Sequence, residues 1–163
     1  MNQCLTVSSL YRVLVTGLLL VSGRLAAQTV RVPDSNAQPG VTVEVPIELE
    51  SKPGQEPLGL QWTIKCDPPL TLVSQRIAPA ARDAGKDVRC ALRKSPANST
   101  ICLLSGGQKP IANGAVALLV FETSGKGQNG RAKIRIEDVL AVSNKAKSVP
   151  VAAADGSITV SGK

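Results

Sequence analysis

The sequence predicts an all-β protein, a nine-stranded β-sandwich, and three observations carry the prediction. Short stretches of alternating apolar and polar residues recur along the chain, set apart by turns rich in Gly, Pro, Asn and Asp, with no amphipathic run long enough for a helical layer. In the plainest of them Val41, Val43, Val45, Ile47 and Leu49 alternate with Thr42, Glu44, Pro46, Glu48 and Glu50, so one face is greasy and the other wet. Such a strand needs a second sheet over its apolar row, and 163 residues, 43% of them hydrophobic, suit one such core and not two.

Residues 1–27 read as a secretory signal. They hold no acidic residue, place Arg12 ahead of the apolar run VLVTGLLLV, and end in Ala26 and Ala27, which sets cleavage before Gln28 and the domain at 28–163. At about 1.5 Å per residue that apolar run is far shorter than the roughly 30 Å hydrocarbon core, so no membrane span is expected after removal. Gln28 also stands where a lipoprotein would carry its cysteine. The product is expected outside the cytoplasm, in the periplasm or the extracellular space. Without Arg12 and Arg24, 17 Lys and Arg face 12 Asp and Glu, a net charge of +5. The Lys and Arg are not clustered and not interleaved with stacking rings, so the surface reads as solvated and no nucleic-acid partner is expected.

Taken in order, Thr29–Val32 is a first strand, PDSNAQPG a turn, and Pro39–Glu50 the long second strand. Pro46 lies in its polar register, where a missing N–H is tolerated only at a sheet edge or a bulge. After the loop SKPGQEP, the strand GLQWTIKC turns Leu60, Trp62, Ile64 and Cys66 one way and Gln61, Thr63 and Lys65 the other. Pro68 and Pro69 end it, and Leu70–Ile77 resumes a strand with Leu70, Leu72 and Ser74 in phase. APAARDAG is a loop or a single helical turn.

VRCAL and TICLL flank the polar loop RKSPANS with Cys90 and Cys102 equidistant from Pro96, so the two cysteines face each other across a hairpin. That register puts Val88 opposite Leu104 and Leu92 opposite Thr100 on the cysteine side, and Arg89, Ala91, Ile101 and Leu103 on the other. A disulfide closing this loop contributes about 3 kcal/mol on the loop-entropy account, and export permits it. The sequon Asn98-Ser99-Thr100 in the loop reads as incidental. After the turn-rich SGGQKPIANG, AVALLVFET is apolar nearly throughout and belongs mid-sheet. Asn129-Gly130 is a hairpin dipeptide. It leads into RAKIRIEDVLAV, where Ala132, Ile134 and Ile136 alternate with Lys133, Arg135 and Glu137. KAKSVPVAAADG reads as a loop and GSITVSG as the ninth strand.

The chemistry on offer is sparse. The chain has no histidine, which removes the commonest general base, the usual catalytic triads and His-ligated metals. With Cys4 in the leader and Cys90 and Cys102 paired, Cys66 is left as an inward-facing, inert thiol, and three cysteines without CxxC make a poor zinc site. No metal and no cofactor are expected. Glu44, Glu48 and Glu50 line one strand face, where alternate residues stand about 6.8 Å apart, near a glycosidase spacing, but a solvated strand face has no cleft to split their pKa values. The chain is not read as an enzyme.

PGVTVEVPIEL after a first strand, then GLQWTIKCDPPLTLVS, then GAVALLVFET before DGSITV together resemble a cohesin domain, the dockerin-binding module of cellulosomes, over Thr29–Ser161. The resemblance rests on Pro46 inside the second strand, on Gly59, Trp62, Asp67 and Pro68 in and after the third, and on Gly114 before the seventh. It implies a jelly-roll sandwich with sheets ordered 8-3-6-5 and 9-1-2-7-4. It also implies a docking face on the outside of the 8-3-6-5 sheet, which would hold Lys133, Arg135 and Glu137, then Gln61, Thr63 and Lys65, then Ile101 and Leu103, then Arg89 and Ala91. An apolar centre with a basic rim suits protein docking. Against the family pattern, Gln61 stands where an Asp or Asn is frequent, Cys66 where a tyrosine is usual, and the Cys90 to Cys102 clasp is an addition. The reading is thus a secreted, non-catalytic, monomeric module that docks a protein partner, dockerin-like or other, in a polysaccharide-degradation or adhesion setting. The alternative is a carbohydrate-binding domain, although Trp62 and Phe121 both lie in inward register, where no sugar can stack on them.

Overall fold

Alternation becomes strands wherever the apolar row finds a partner sheet. The computed structural model describes residues 28–68, 70–93, 99–124 and 129–162. The expected signal peptide and Asn98 of the sequon lie outside the described residues. Described are β1 (Gln28–Arg31), β2 (Ser35–Ala37), β3 (Thr42–Ser51), β4 (Gly59–Cys66), β5 (Leu70–Ile77) and α1 (Pro79–Asp83). Then come β6 (Asp87–Arg93), β7 (Ser99–Ser105), β8 (Gly114–Thr123), β9 (Gly130–Val142), β10 (Ser148–Val149), β11 (Val151–Ala154) and β12 (Gly156–Val160). One sheet runs β11-β1-β3-β8-β5; the other runs β2-β12-β9-β4-β7-β6, with β10 paired to β9.

The architecture is the predicted sandwich, and β9-β4-β7-β6 is the expected 8-3-6-5 order. The other sheet corrects the expectation at its end. The stretch expected to be a loop before the last strand forms β10 and β11, and β11, not the final strand, lies beside β1. The final strand β12 instead crosses to the other sheet and pairs with β9 and β2. Gly156 makes the crossing: a Cβ there would stand 2.4 Å from the Val32 carbonyl oxygen, so any side chain would collide with backbone. The turn before β3 likewise contains the three residues of β2, which gives twelve strands among the described residues in place of nine.

The core lies between the sheets, with Trp62, Phe121, Ile47, Leu49, Leu119 and Ile134 at 0% exposure. Each contributes on the order of 1.5–3 kcal/mol by leaving water. Pro46 meets both conditions set for it. β1 pairs only with Glu48–Ser51, so β3 has a bare edge at Pro46, and the β3–β8 register shifts between Ile47 and Glu48. β8 is flanked by β3 and β5, as its apolar run requires. In β5 the register slips between Leu72 and Ser74, which turns Ser74 outward, contrary to the expected phase, and leaves Val73 50% exposed.

The β6–β7 hairpin has the predicted register, Val88 to Leu104, Cys90 to Cys102 and Leu92 to Thr100. Cys90 and Cys102 form a disulfide with their Cα atoms 4.1 Å apart. It fastens the edge strand β6 to β7 from the core side and leaves Arg89, Ala91, Ile101 and Leu103 facing out. Cys66 packs at the end of the core, half-buried, with Sγ 3.5 Å from the Leu70 carbonyl oxygen. Burial pushes its thiol above the ordinary value and so keeps it from the reactive thiolate form.

Candidate functional site

The outer face of β9-β4-β7-β6 is set by cross-strand register. Arg89, Leu103, Gln61 and Leu140 form one row across the sheet; Ala91, Ile101, Thr63 and Glu137 form the next; Lys65 and Arg135 stand opposite each other in the third. Lys133 continues the β9 side toward β12. All ten residues named from the sequence therefore lie on one face, although Thr63 is only 1% exposed.

The rim is basic in composition but not in charge. Lys65 pairs with Glu137, Arg135 with Asp67 at the end of β4, Lys133 with Asp155, Arg89 with Asp87, and Arg93 with Asp138. Five cations meet five carboxylates, so the expected basic rim is corrected to a neutralised one. For Asp155, burial works to raise the carboxyl, but the Ile136 N–H it accepts at 3.1 Å and the Lys133 and Arg135 charges outweigh burial and hold it below the ordinary range. Beyond it, Arg131 and Ser157 both donate to Asp34, and the Ser157 hydroxyl is the largest of the effects that lower that carboxyl.

Four residues that the sequence reading left out complete the face: Arg93, Asp138, Leu140 and Val142. Strict alternation along β9 would turn Asp138 into the core. The strand instead bulges, with Asp138 at φ 51° and the pairing with β4 slipping between Gln61 and Thr63. Asp138 then faces out, where it accepts the Thr63 hydroxyl at 3.2 Å, and the slip carries Leu140 and Val142 outward with it. They are 50% and 42% exposed, beside Leu103 at 46%. The signal was present in two adjacent acids, Glu137-Asp138, inside an alternating strand. A charge in an inward position is a reason to expect a bulge.

These side chains border a shallow cleft of about 320 Å³ lined by Leu58, Leu103, Leu140 and Val142, with Gly59 on its floor. Gly59 faces outward opposite Val142, and having no side chain there leaves the depression open. One border is braced from behind. The buried Lys86 ammonium donates to the Gly106 and Gly107 carbonyls at 2.6 and 3.0 Å, just past the end of β7, and burial lowers its pKa. Gly107 must be glycine: its φ is 49°, and a Cβ would lie 2.5 Å from the Ala84 carbonyl oxygen.

The face thus offers an apolar cleft beside a field of internal ion pairs. On the opposite sheet the three glutamates considered for catalysis are also engaged, Glu44 with Arg76, and Glu48 and Glu50 with Arg31.

The sequence profile described as the cohesin domain matches residues 28–160. Among solved structures, a chain of the Coh-OlpA–Doc918 type I cohesin–dockerin complex from Clostridium thermocellum superposes with a TM-score of 0.72 at 15% identity, covering 83% of this chain and 99% of that one. A non-cellulosomal cohesin from the archaeon Archaeoglobus fulgidus gives 0.69 at 12% identity, covering 84% and 93%. CaCohA2 from Clostridium acetobutylicum gives 0.65 at 20% identity, covering 85% and 93%. At these identities the structural likeness shows the fold. No curated protein matches the chain.

Proposed function

The chain belongs to the cohesin-domain family, and from that premise we propose that it is a non-catalytic docking module whose outer β9-β4-β7-β6 face receives a protein partner of the dockerin type. The exposed strip of Leu103, Leu140 and Val142 around the cleft carries this reading. An apolar core inside a polar surround is the anatomy of a protein interface. Export to the periplasm or the extracellular space, through a signal at residues 1–27, fits a disulfide-bearing domain. A role in polysaccharide breakdown or adhesion belongs to the same proposal.

Carbohydrate binding is the weaker reading, because both rings among the described residues, Trp62 and Phe121, are fully buried and present no stacking platform.

Capture of a panel of purified dockerins on the immobilised domain tests the proposal. Retention of at least one dockerin, abolished by Leu103→Glu while the variant keeps its unfolding midpoint, supports it. Undiminished retention by Leu103→Glu rules this face out, and so does retention of cellulose or xylan with no dockerin captured.

A further inference from the structure

Thr63 and Ser99 face outward from a sheet whose outer surface is open to solvent, yet they are 1% and 0% exposed. Arg93 stands opposite Ser99 and ends at the carboxylate to which Thr63 donates. It leaves the end of β6, and Asp138 sits on β9, with β7 and β4 between them. Their side chains nevertheless meet, Nη1 to Oδ2, at 3.1 Å. With strands about 4.8 Å apart, the pair bridges roughly 14 Å of sheet. From the register it crosses β7 between Ser99 and Ile101 and reaches β4 at Thr63, whose hydroxyl donates to the same carboxylate oxygen.

We propose that this Arg93–Asp138 strap is the selectivity element of the docking face. It covers Ile101 in the free protein and yields to a partner that brings a carboxylate to take Asp138's place on the guanidinium. The inference rests on the docking reading above and names the chemistry of its partner: an acidic residue about 7 Å, two residues along a strand, from the nearest of a row of apolar side chains.

Three observations favour the exchange. The strap is solvent-exposed, 33% at Arg93 and 58% at Asp138, and a pair of that kind shifts an equilibrium by about a factor of five at most, so releasing it is easy. Lys133 and Arg89 are paired at similar distances, 3.1 and 3.2 Å, but of the five pairs on this face Arg93–Asp138 alone spans two intervening strands, so its release, unlike theirs, opens the middle of the face. A guanidinium fork grips a free carboxylate through two parallel bonds, where Asp138 is met here by a single contact at 3.1 Å. Asp138 keeps the Thr63 hydroxyl when Arg93 leaves, and the uncovered Ile101 extends the Leu103–Leu140–Val142 strip toward the centre of the face.

Two arms test this on the whole domain, with Arg93→Ala and Asp138→Asn as variants, Asn being well suited to the positive φ at 138. In hydroxyl-radical footprinting of the free protein, both variants should raise labelling of Ile101 at least twofold relative to Leu103, which is already exposed. Unchanged labelling overturns the strap. In titration against a captured dockerin, Asp138→Asn frees Arg93 and should tighten binding about two- to fivefold, while Arg93→Ala should weaken it by a similar factor. Shifts in the same direction overturn the selectivity role, since a merely structural ion pair answers alike to the loss of either partner. If no dockerin is captured while Ile101 labelling still rises, the docking reading falls and takes the partner with it, but the strap stands. If capture holds and labelling does not rise, the strap proposal alone falls.

Discussion

The outer face of the β9-β4-β7-β6 sheet has two halves that meet at Asp138 and share little chemistry. Before the bulge, Lys133, Arg135 and Glu137 alternate outward and each is matched to an opposite charge. After it, Leu140 and Val142 occupy the outward positions and have no cover. Both halves use the same two strands and the same side of the sheet, so side-chain chemistry alone does not set them apart. One inserted residue does: because strand side chains alternate with period two, a single extra position exchanges inside for outside along the remainder of β9. The alternative would bury the Asp138 charge, at a cost of several kcal/mol, and hide the two residues that make the cleft.

The largest expected effect comes from shifting the phase after that boundary. Deletion of Val139, one position past the bulge, drives Leu140 and Val142 inward and expels Ala141, now fully buried. A loss of more than about 3 kcal/mol is expected in urea unfolding, with dockerin capture abolished. Retained stability would mean that β9 tolerates either register and that the two halves are not set by the bulge. Next in size is a contrast between the halves. Leu140→Glu should weaken dockerin binding about a hundredfold, as loss of a central apolar anchor does, with little change in unfolding midpoint. Lys65→Ala in the ion-paired half should change it less than about fivefold. Equal effects would erase the distinction.

How much of this was legible in the sequence differs by region for physical reasons. The β6–β7 hairpin could be read residue by residue, because two cysteines equidistant from a proline fix a register that the alternation around them confirms. The sandwich and the ten residues on one face were legible from period-two patterning joined to a family resemblance. The chain after β9 was not. Val151–Ala154 consists of one valine and three alanines, side chains too small and too alike to alternate, so β11 left no pattern, and the last strand was assigned to the wrong sheet. The neutralised rim was hidden for another reason. Asp67, Asp155 and Asp138 reach their cations from a strand end, a crossing and a bulge, none of which has a period to read.

The smallest expected effect concerns acid, which should act on one half and spare the other. Asp155 is held below the ordinary carboxylate value of 3.8: burial opposes this, but the Ile136 N–H and the Lys133 and Arg135 charges prevail. A carboxylate depressed in the folded state adds stability above its unfolded pKa and loses that contribution as pH falls through its folded one. The effect of Asp155→Asn should therefore be destabilising at neutral pH, begin to shrink as pH drops below about 4, and vanish once Asp155 itself is protonated. Urea midpoints of the two proteins measured from pH 7 down to pH 2 give the comparison directly. Leu103, Leu140 and Val142 themselves carry no titratable group, so the unfolding penalty of Leu140→Ala should stay level across the same series. A gap for Asp155→Asn that widened in acid would reverse the sign argued here and would mean that burial, not its ion pair, governs this carboxylate.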